Sequence, residues 1–445
     1  MTMNEYYDRL GWIDDYIKNV APYLHMRRED RVLIKIPNEV YKLNPSAVMI
    51  LRTLLAGKSV YTIADSYPNK EEVAKDLHDF FCDLRAVLKG CYRERDQRLA
   101  IEKIPFSLAF NTLPVLSEIA ITYRCNLSCK FCYAACGCRK DNDSAELSTA
   151  ELKEVISIIR NEADVPSLSF TGGEPMLRSD LAELIRHAKS LKMWTNLITN
   201  ATLIDPAAAC VLRDAGLDSA QVSLEAASEV RHDAIVQKGG AFYMTMEGLR
   251  NLRKAGIRVH TNTTICGLNR NEILSIPALI KEAGLDKFSM NMLMPAGAAI
   301  KNFPDVAITY SEIGDIVLSL KELALQLGLE FMWYSPTPVC IFNPVIHGLG
   351  NKGCAACDGL LSVSPSGDIL PCSSYPKPMA NMLRIKGRFR RAWQSRAFRY
   401  FRNKGFAHRL CRSCDDLAIC NGGCPLYWKQ LGYGELLNAR KEAGI

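Results

Sequence analysis

Between residues 149 and 330, short β-branched runs alternate with amphipathic helical patterns, and that alternation restricts the chain to repeated βα units around a parallel sheet. The pattern predicts strands at 118–123, 167–170, 193–199, 219–223, 258–264 and 287–293. Helix starts are well marked between them: Ser148 with Glu151 makes a capping box, and Asp205-Pro206 pairs an N-cap with proline at the first helical position. Six such units fit a partial (βα)6 barrel of the TIM type, an α/β fold whose chemistry gathers at the C-terminal ends of the strands.

Cys125, Cys129 and Cys132 fall at the first of those ends, in Tyr-Arg-Cys-Asn-Leu-Ser-Cys-Lys-Phe-Cys-Tyr, directly after the apolar run Leu116 to Ile121. Four-iron clusters are ordinarily held by four thiolates, so three leave one iron free for another ligand. A zinc site or a set of buried thiols also uses close cysteines. The context separates these readings, because Thr171-Gly172-Gly173-Glu174-Pro175 follows the next apolar run. Glycines let the backbone approach a ligand closely, and a carboxylate suits a cationic amine.

This Cys-x3-Cys-x2-Cys loop followed by Gly-Gly-Glu-Pro resembles the signature of the radical S-adenosylmethionine superfamily. The resemblance implies a 4Fe-4S cluster on Cys125, Cys129 and Cys132, with S-adenosylmethionine on the open iron. One electron then breaks the sulfonium bond to give a 5′-deoxyadenosyl radical. It further implies that Phe131 lies near the adenine and that Gly172, Gly173 and Glu174 contact the methionyl amino group. Thr199 and Asn200, and Ser223 to Glu225, fall where the family places nucleoside contacts, although short polar residues also end strands for turn chemistry. Reduced flavodoxin or ferredoxin is the implied electron donor.

The 445 residues allow two or three domains, and 48% hydrophobic with 23% charged residues is ordinary for a globular protein. A net charge of +7 and a pI near 8.6 are too mild and diffuse to indicate nucleic acid. From Lys377 to Arg412 there are twelve Lys or Arg and no acid, a solvated helical surface or a face for an acidic peptide. No apolar segment follows a basic start and no run of eighteen apolar residues appears, so neither a secretory signal nor a membrane span is expected and the location should be cytoplasmic. Seventeen cysteines then favour metal ligation or redox catalysis over disulfides.

The first 117 residues have a different texture, which divides the chain into a helical segment (1–29), a small domain (30–92), a linker (93–117), the barrel (118–330) and a C-terminal extension (331–445). Arg31 to Pro37 and Glu39 to Lys42 read as a β-hairpin, Asn44-Pro45 opens a helix to Leu55, and two helical patterns follow, ending near Lys89-Gly90. With Val40 to Ala47 and Ala56-Gly57-Lys58-Ser59-Val60, this resembles the PqqD-like winged-helix domain that serves as a peptide chaperone in pyrroloquinoline quinone pathways. By that resemblance a leader peptide adds as a strand to an exposed sheet edge, here the hairpin edge at 31–42. Winged helices also bind DNA, but the later helical patterns carry no dense Lys/Arg face. The stripe Asp76, Leu77, Phe80, Phe81 and Leu84 reads as core.

Beyond residue 339 a second constellation runs Cys357-x9-Gly367-x4-Cys372 and then Cys411-x2-Cys414-x5-Cys420-x3-Cys424. A zinc ribbon also uses paired Cys-x2-Cys sets. The full spacing resembles the SPASM extension, which carries auxiliary iron–sulfur clusters. By that resemblance Cys357, Cys372 and Cys424 belong to a first auxiliary cluster, with Cys354 or Cys340 as fourth ligand. Cys411, Cys414 and Cys420 belong to a second. The family usually adds a further cysteine downstream, and Pro425 to Ile445 has none. The second cluster therefore takes a carboxylate or an unassigned cysteine, stays open to substrate, or does not form. Cys136 and Cys138 have no place in the pattern and read as structural or spare thiols.

Together the segments resemble fused peptide maturases, which bind a precursor's leader and install a thioether or carbon–carbon cross-link in its core peptide. A tetrapyrrole-modifying enzyme shares the radical core and a related extension; an anaerobic sulfatase maturase lacks the front domain. A non-catalytic iron–sulfur regulator has no need of Gly-Gly-Glu-Pro. No protein acid or base stands out.

Overall fold

The computed structural model of the protein describes residues 3–89, 101–104, 112–136 and 146–442. Cys138, Gly90 and most of the expected linker lie outside the described residues. The described residues up to Val115 form one compact unit and those from Leu116 onward a second.

The first unit opens with helices α1 (Met3–Asp8) and α2 (Gly11–Val20) and holds a sheet of four antiparallel strands, β1 (Leu24–Arg27), β2 (Val32–Lys35), β3 (Glu39–Leu43) and β4 (Ile101–Ile104), in that order. Helices α3 (Pro45–Leu55), α4 (Val60–Ala64) and α5 (Lys70–Leu88) follow the third strand. Asn44 caps α3 by accepting from Ala47 N–H, with Pro45 in the first turn where no donor is needed. The Ser59 hydroxyl caps α4 and donates to Asp14 of α2 at 2.6 Å. Leu77, Phe80, Phe81 and Leu84 of α5 enter a core with Leu33 and Tyr41, while Asp76 on the same helix is exposed.

One expectation is corrected here. The hairpin at 31–42 offers no open edge, because β2 pairs with β1 and β3 with β4. The segment before the hairpin, expected to be helical throughout, ends in a strand, and residues past the last helix supply the other flank. Among the described residues the outer strands are β1 and β4.

The second unit is built on a ten-stranded sheet. Strands β5 (Leu116–Thr122), β6 (Ser167–Gly172), β7 (Trp194–Thr199), β8 (Ser219–Ser223), β9 (Arg258–Ile265), β10 (Lys287–Met292) and β11 (Glu330–Trp333) are parallel neighbours in sequence order. Helices α6 (Thr149–Asn161), α7 (Leu181–Ser190), α8 (Pro206–Asp214), α9 (Glu229–Val236), α10 (Ala241–Lys254) and α11 (Ile276–Glu282) make the crossovers. Ser148 and Glu151 form the capping box of α6, and Asp205 caps α8 ahead of Pro206. Ile119, Leu168, Phe170, Leu197, Val222, Phe288 and Met290 are fully buried and form the core of this layer. The parallel strands and the helices between them make an α/β sheet consistent with a partial TIM barrel.

Four strands of this sheet escaped the sequence pattern. β11 is a seventh parallel strand, and β12 (Leu360–Val363) of the C-terminal extension lies parallel to β5 on its far side, followed by antiparallel β13 (Asp368–Leu370) and β14 (Ala380–Asn381). Strands of four residues are too short to show a period. Their place in the sheet comes from long-range pairing.

Candidate active site

The end of β5 is irregular: its pairing with β6 shifts register between Ala120 and Thr122, and the chain turns into the cysteine loop. Thr122 O and Arg124 O accept from Gly173 N–H at 2.8 Å and Glu174 N–H at 2.9 Å. A Cβ at Gly172, where φ is +139°, meets Thr122 O at 2.0 Å, and one at Gly173 meets Arg124 O at 2.1 Å. Both glycines are therefore needed for the β6 end to lie against the start of the cysteine loop.

The loop is tied from three other sides. Ser128 N–H and Lys130 N–H donate to Val236 O and Ile235 O at the end of α9. Ala298 N–H donates to Cys132 O at 2.8 Å, and Asn302 Nδ2 to Lys130 O at 2.8 Å. Asn126, inside the loop, accepts from Asn200 Nδ2 at 3.0 Å and donates to Thr202 Oγ1 at 2.8 Å. Phe131, Cys125 and Cys129 pack against Leu127, Ile235, Val236 and Ala241. Cys129 and Cys132 line a cavity of about 120 Å³ with Ser128, Lys130, Gln237 and Asn302.

Cys125, Cys129 and Cys132 are close enough for each thiolate to raise its neighbours. Burial pushes Cys125 up to about 11 and Cys129 well above the ordinary thiol range, while hydrogen bonds from Cys136 pull Cys132 below it. Iron must therefore displace protons from the first two. Cys136, read as spare, is buried and its N–H reaches Cys132 Sγ at 3.5 Å.

Glu174 is fully buried. Its Oε1 accepts from Met176 N–H at 3.0 Å and Thr199 Oγ1 at 2.8 Å, and its Oε2 from Asn200 N–H at 2.9 Å. Burial raises this carboxyl to about 6 against those donors. The Thr199 hydroxyl also accepts from Ala201 N–H, and Asn200 Oδ1 accepts from Thr202. The polar groups of Glu174, Thr199 and Asn200 hydrogen-bond to one another and to Asn126, as buried polar groups do.

Ser223 ends β8 and is half-buried. Glu225 is buried, accepts from Thr264 N–H at 2.9 Å, and is pushed up to about 8 by burial. Its own N–H donates to His232 Nδ1 at 3.2 Å. His232 Nε2 is buried without a hydrogen-bond partner among the described residues.

Several residues that the sequence did not single out meet on the sheet. Burial alternates along β7, β8 and the second half of β9, and the part-exposed positions include the polar Asn196, Ser219, Gln221, His260 and Asn262. They hydrogen-bond across strands, Ser219 to Asn196 at 2.8 Å, His260 with Gln221 at 3.3 Å and Asn262 to Asn291 at 2.7 Å. The signal was the period-two polar stripe, which a parallel sheet covered on both faces lacks. Glu118 of β5 accepts from Ser362 of β12 at 2.6 Å and lies within the electrostatic reach of Tyr133 and Cys372. It needed β12 to be recognised.

The C-terminal cysteines fall into two groups. Cys354 is an electrostatic neighbour of Cys357, Cys372 and Cys424, and burial pushes Cys357 and Cys424 up to about 12. Two buried cations face this group: Lys404 Nζ donates to Cys354 O at 2.6 Å and Asp358 at 3.0 Å, and Arg402 Nε to Cys357 O at 3.3 Å. Such cations offset clustered thiolates. Cys340, weighed against Cys354 for this group, stands instead in a small pocket with Cys411, Cys414 and Cys420. The reason is tertiary, since the chain leaving β11 doubles over the last cysteines. Among the described residues no three such side chains converge on a single metal-ion position; a four-iron cubane spreads its ligands around a larger body.

Residues 119–283 match the family model described as the radical SAM superfamily, and residues 354–415 match SPASM, an iron–sulfur cluster-binding domain. The chain is 27% identical over 322 residues to a PqqA peptide cyclase of Bradyrhizobium diazoefficiens, covering 70% of this chain and 81% of that one. It is 30% identical over 320 residues to an AdoMet-dependent heme synthase of Oleidesulfovibrio alaskensis, covering 68% and 80%. Among solved structures it resembles SuiB of Streptococcus suis bound to S-adenosylmethionine, with TM-score 0.67, 18% identity, and 92% of this chain and 95% of that one covered. SuiB bound to the precursor peptide SuiA matches at TM-score 0.64 and 15% identity, covering 92% and 96%.

Proposed function

Because the chain belongs to the radical SAM superfamily and carries a SPASM domain, it is an enzyme, and we propose that it binds the leader of a precursor peptide and cross-links the core peptide through a thioether or carbon–carbon bond. Its radical SAM domain binds a 4Fe-4S cluster and S-adenosylmethionine, and its SPASM domain binds auxiliary iron–sulfur clusters. Together the first cluster and the nucleotide supply a 5′-deoxyadenosyl radical that abstracts hydrogen from the substrate.

The chain's own residues hold this chemistry in place. Cys125, Cys129 and Cys132 hold the first cluster; Phe131, Gly172, Gly173, Ser223 and Glu225 surround the nucleotide. Glu174, Thr199 and Asn200 contact it as well, and their mutual hydrogen bonds fix the β6 and β7 ends against the cysteine loop. The polar stripe from Asn196 to Asn262 offers donors and acceptors to a peptide backbone. A reduced flavodoxin or ferredoxin supplies the electron.

The observation that carries the peptide reading is the N-terminal sheet, whose outer strands β1 and β4 each pair on one side among the described residues. Such edges accept an extended peptide through main-chain hydrogen bonds. We read this unit as PqqD-like, with the leader on one of those edges in place of the hairpin. The PqqA peptide cyclase and the SuiA-bound SuiB support a peptide substrate by name. The heme synthase relatives support the second reading, modification of a tetrapyrrole side chain.

Anaerobic incubation with S-adenosylmethionine, reductant and short peptides encoded beside this chain tests the proposal. A peptide product lighter by two hydrogens is expected, dependent on Cys129. An unchanged peptide together with turnover of a porphyrin substrate overturns it.

A further inference from the structure

We infer that Cys340 is the fourth thiolate of the second auxiliary cluster, closing a cage with Cys411, Cys414 and Cys420. The inference rests on the cluster-binding reading above and concerns a residue upstream of the matched SPASM segment at 354–415.

These four cysteines line one pocket, and the three C-terminal thiolates all act electrostatically on Cys340. The placement is built. Strand β11 hands the chain to Ser335, whose hydroxyl accepts from Met292 N–H at 2.7 Å, and to Thr337, whose hydroxyl accepts from Trp333 Nε1 at 3.0 Å. Ile341 N–H and Phe342 N–H both return to Pro338 O at 3.0 Å, closing a turn around Cys340. Val339 N–H donates to Cys420 Sγ at 3.3 Å. Pro338 lies so close to Gly423, at φ +76°, that an added Cβ there meets it at 2.9 Å.

The pocket also fits an anionic cluster. Arg440 lines it, and its Nε is buried without a hydrogen-bond partner among the described residues. A buried guanidinium donor left unpaired in protein is satisfied by a cluster bearing negative charge. Asp416 lines the pocket too and is the rival ligand. A thiolate is the softer and preferred iron ligand in such clusters. Asp416 is exposed, and its backbone carbonyl caps the short helix that carries Cys420.

The fourth place in the cage is thereby filled from upstream of the other three cysteines. With Cys354 in the first group, both auxiliary sites have four thiolates and no iron left for a substrate thiol, so the auxiliary clusters carry electrons.

The test is alkylation of the full chain under anaerobic conditions, metal-free and reconstituted, mapped by peptide mass spectrometry. Cys340 is exposed in the fold and is expected to be labelled in the metal-free chain and protected on reconstitution, while exposed Cys82 is labelled in both. In parallel, iron content should fall from about twelve to about eight per chain in Cys340→Ala, with loss of one auxiliary EPR signal, and stay at about twelve in Asp416→Asn. Equal labelling of Cys340 in both states, or unchanged iron and EPR in Cys340→Ala, overturns the inference; iron loss in Asp416→Asn gives the site to the carboxylate. A wild-type chain with about eight irons that still cleaves S-adenosylmethionine sinks this inference and leaves the proposed function standing.

Discussion

Thr199 donates its hydroxyl to Glu174 Oε1 at 2.8 Å, so the carboxylate after the paired glycines is closed off by strand β7. Since Asn200 N–H takes the other oxygen, Glu174 works as a brace between two strand ends.

Removing that brace should weaken nucleotide binding. In Glu174→Gln one oxygen becomes an NH₂ group facing protein donors, which costs about 1–3 kcal/mol of local stability. S-adenosylmethionine affinity is expected to fall roughly tenfold, and Thr199→Val to lower it by a smaller factor. Anaerobic equilibrium binding measures both. Full affinity in Thr199→Val would show that the Thr199 hydrogen bond does not shape the nucleotide site.

Gly173→Ala places a methyl carbon 2.1 Å from Arg124 O, which the cysteine loop can relieve only by moving away. The expected result is loss of the radical cluster, a drop of about four irons per chain, and no 5′-deoxyadenosine. Gly239→Ala, where the methyl meets nothing within 4 Å, serves as the control and should keep its iron.

Burial holds the His232 imidazole neutral, its pKa down to about 4 from 6.5. Below pH 6.5 the unfolded chain takes a proton that the folded chain refuses until about pH 4. This contribution to stability is complete above pH 6.5 and is lost as pH falls toward 4, on the order of 2 kcal/mol at pH 5. His232→Asn retains an acceptor for Glu225 N–H and should lose part of the wild type's acid sensitivity. Unfolding midpoints compared at pH 7 and pH 5 decide this; an unchanged pH dependence would show that the imidazole charges freely in the fold.

Leader binding should protect the backbone of β1 or β4 from hydrogen exchange and leave β2 and β3 as they were, since their amides already face paired strands. Protection gained by the hairpin instead would mean that the sheet opens to admit the peptide.

How much of this was legible depended on the range of each interaction. The six central strands, the caps at Ser148 and Asp205 and the gathering of the glycine pair with the cysteine loop follow from local pattern: a period of two, a capping box, a fixed ligand spacing. The burial of Leu77, Phe80, Phe81 and Leu84 was likewise written in helical spacing. Cys340 beside Cys420, β12 beside β5, and the enclosure of the 31–42 hairpin were not, because each joins segments whose approach leaves no mark on local composition. Sequence alone determined which chemistry the chain carries, through residues that must be neighbours in order to bind iron. Tertiary structure decided which thiols share a pocket and which carboxylate bonds across two strand ends, because those placements depend on what the rest of the fold presses against them.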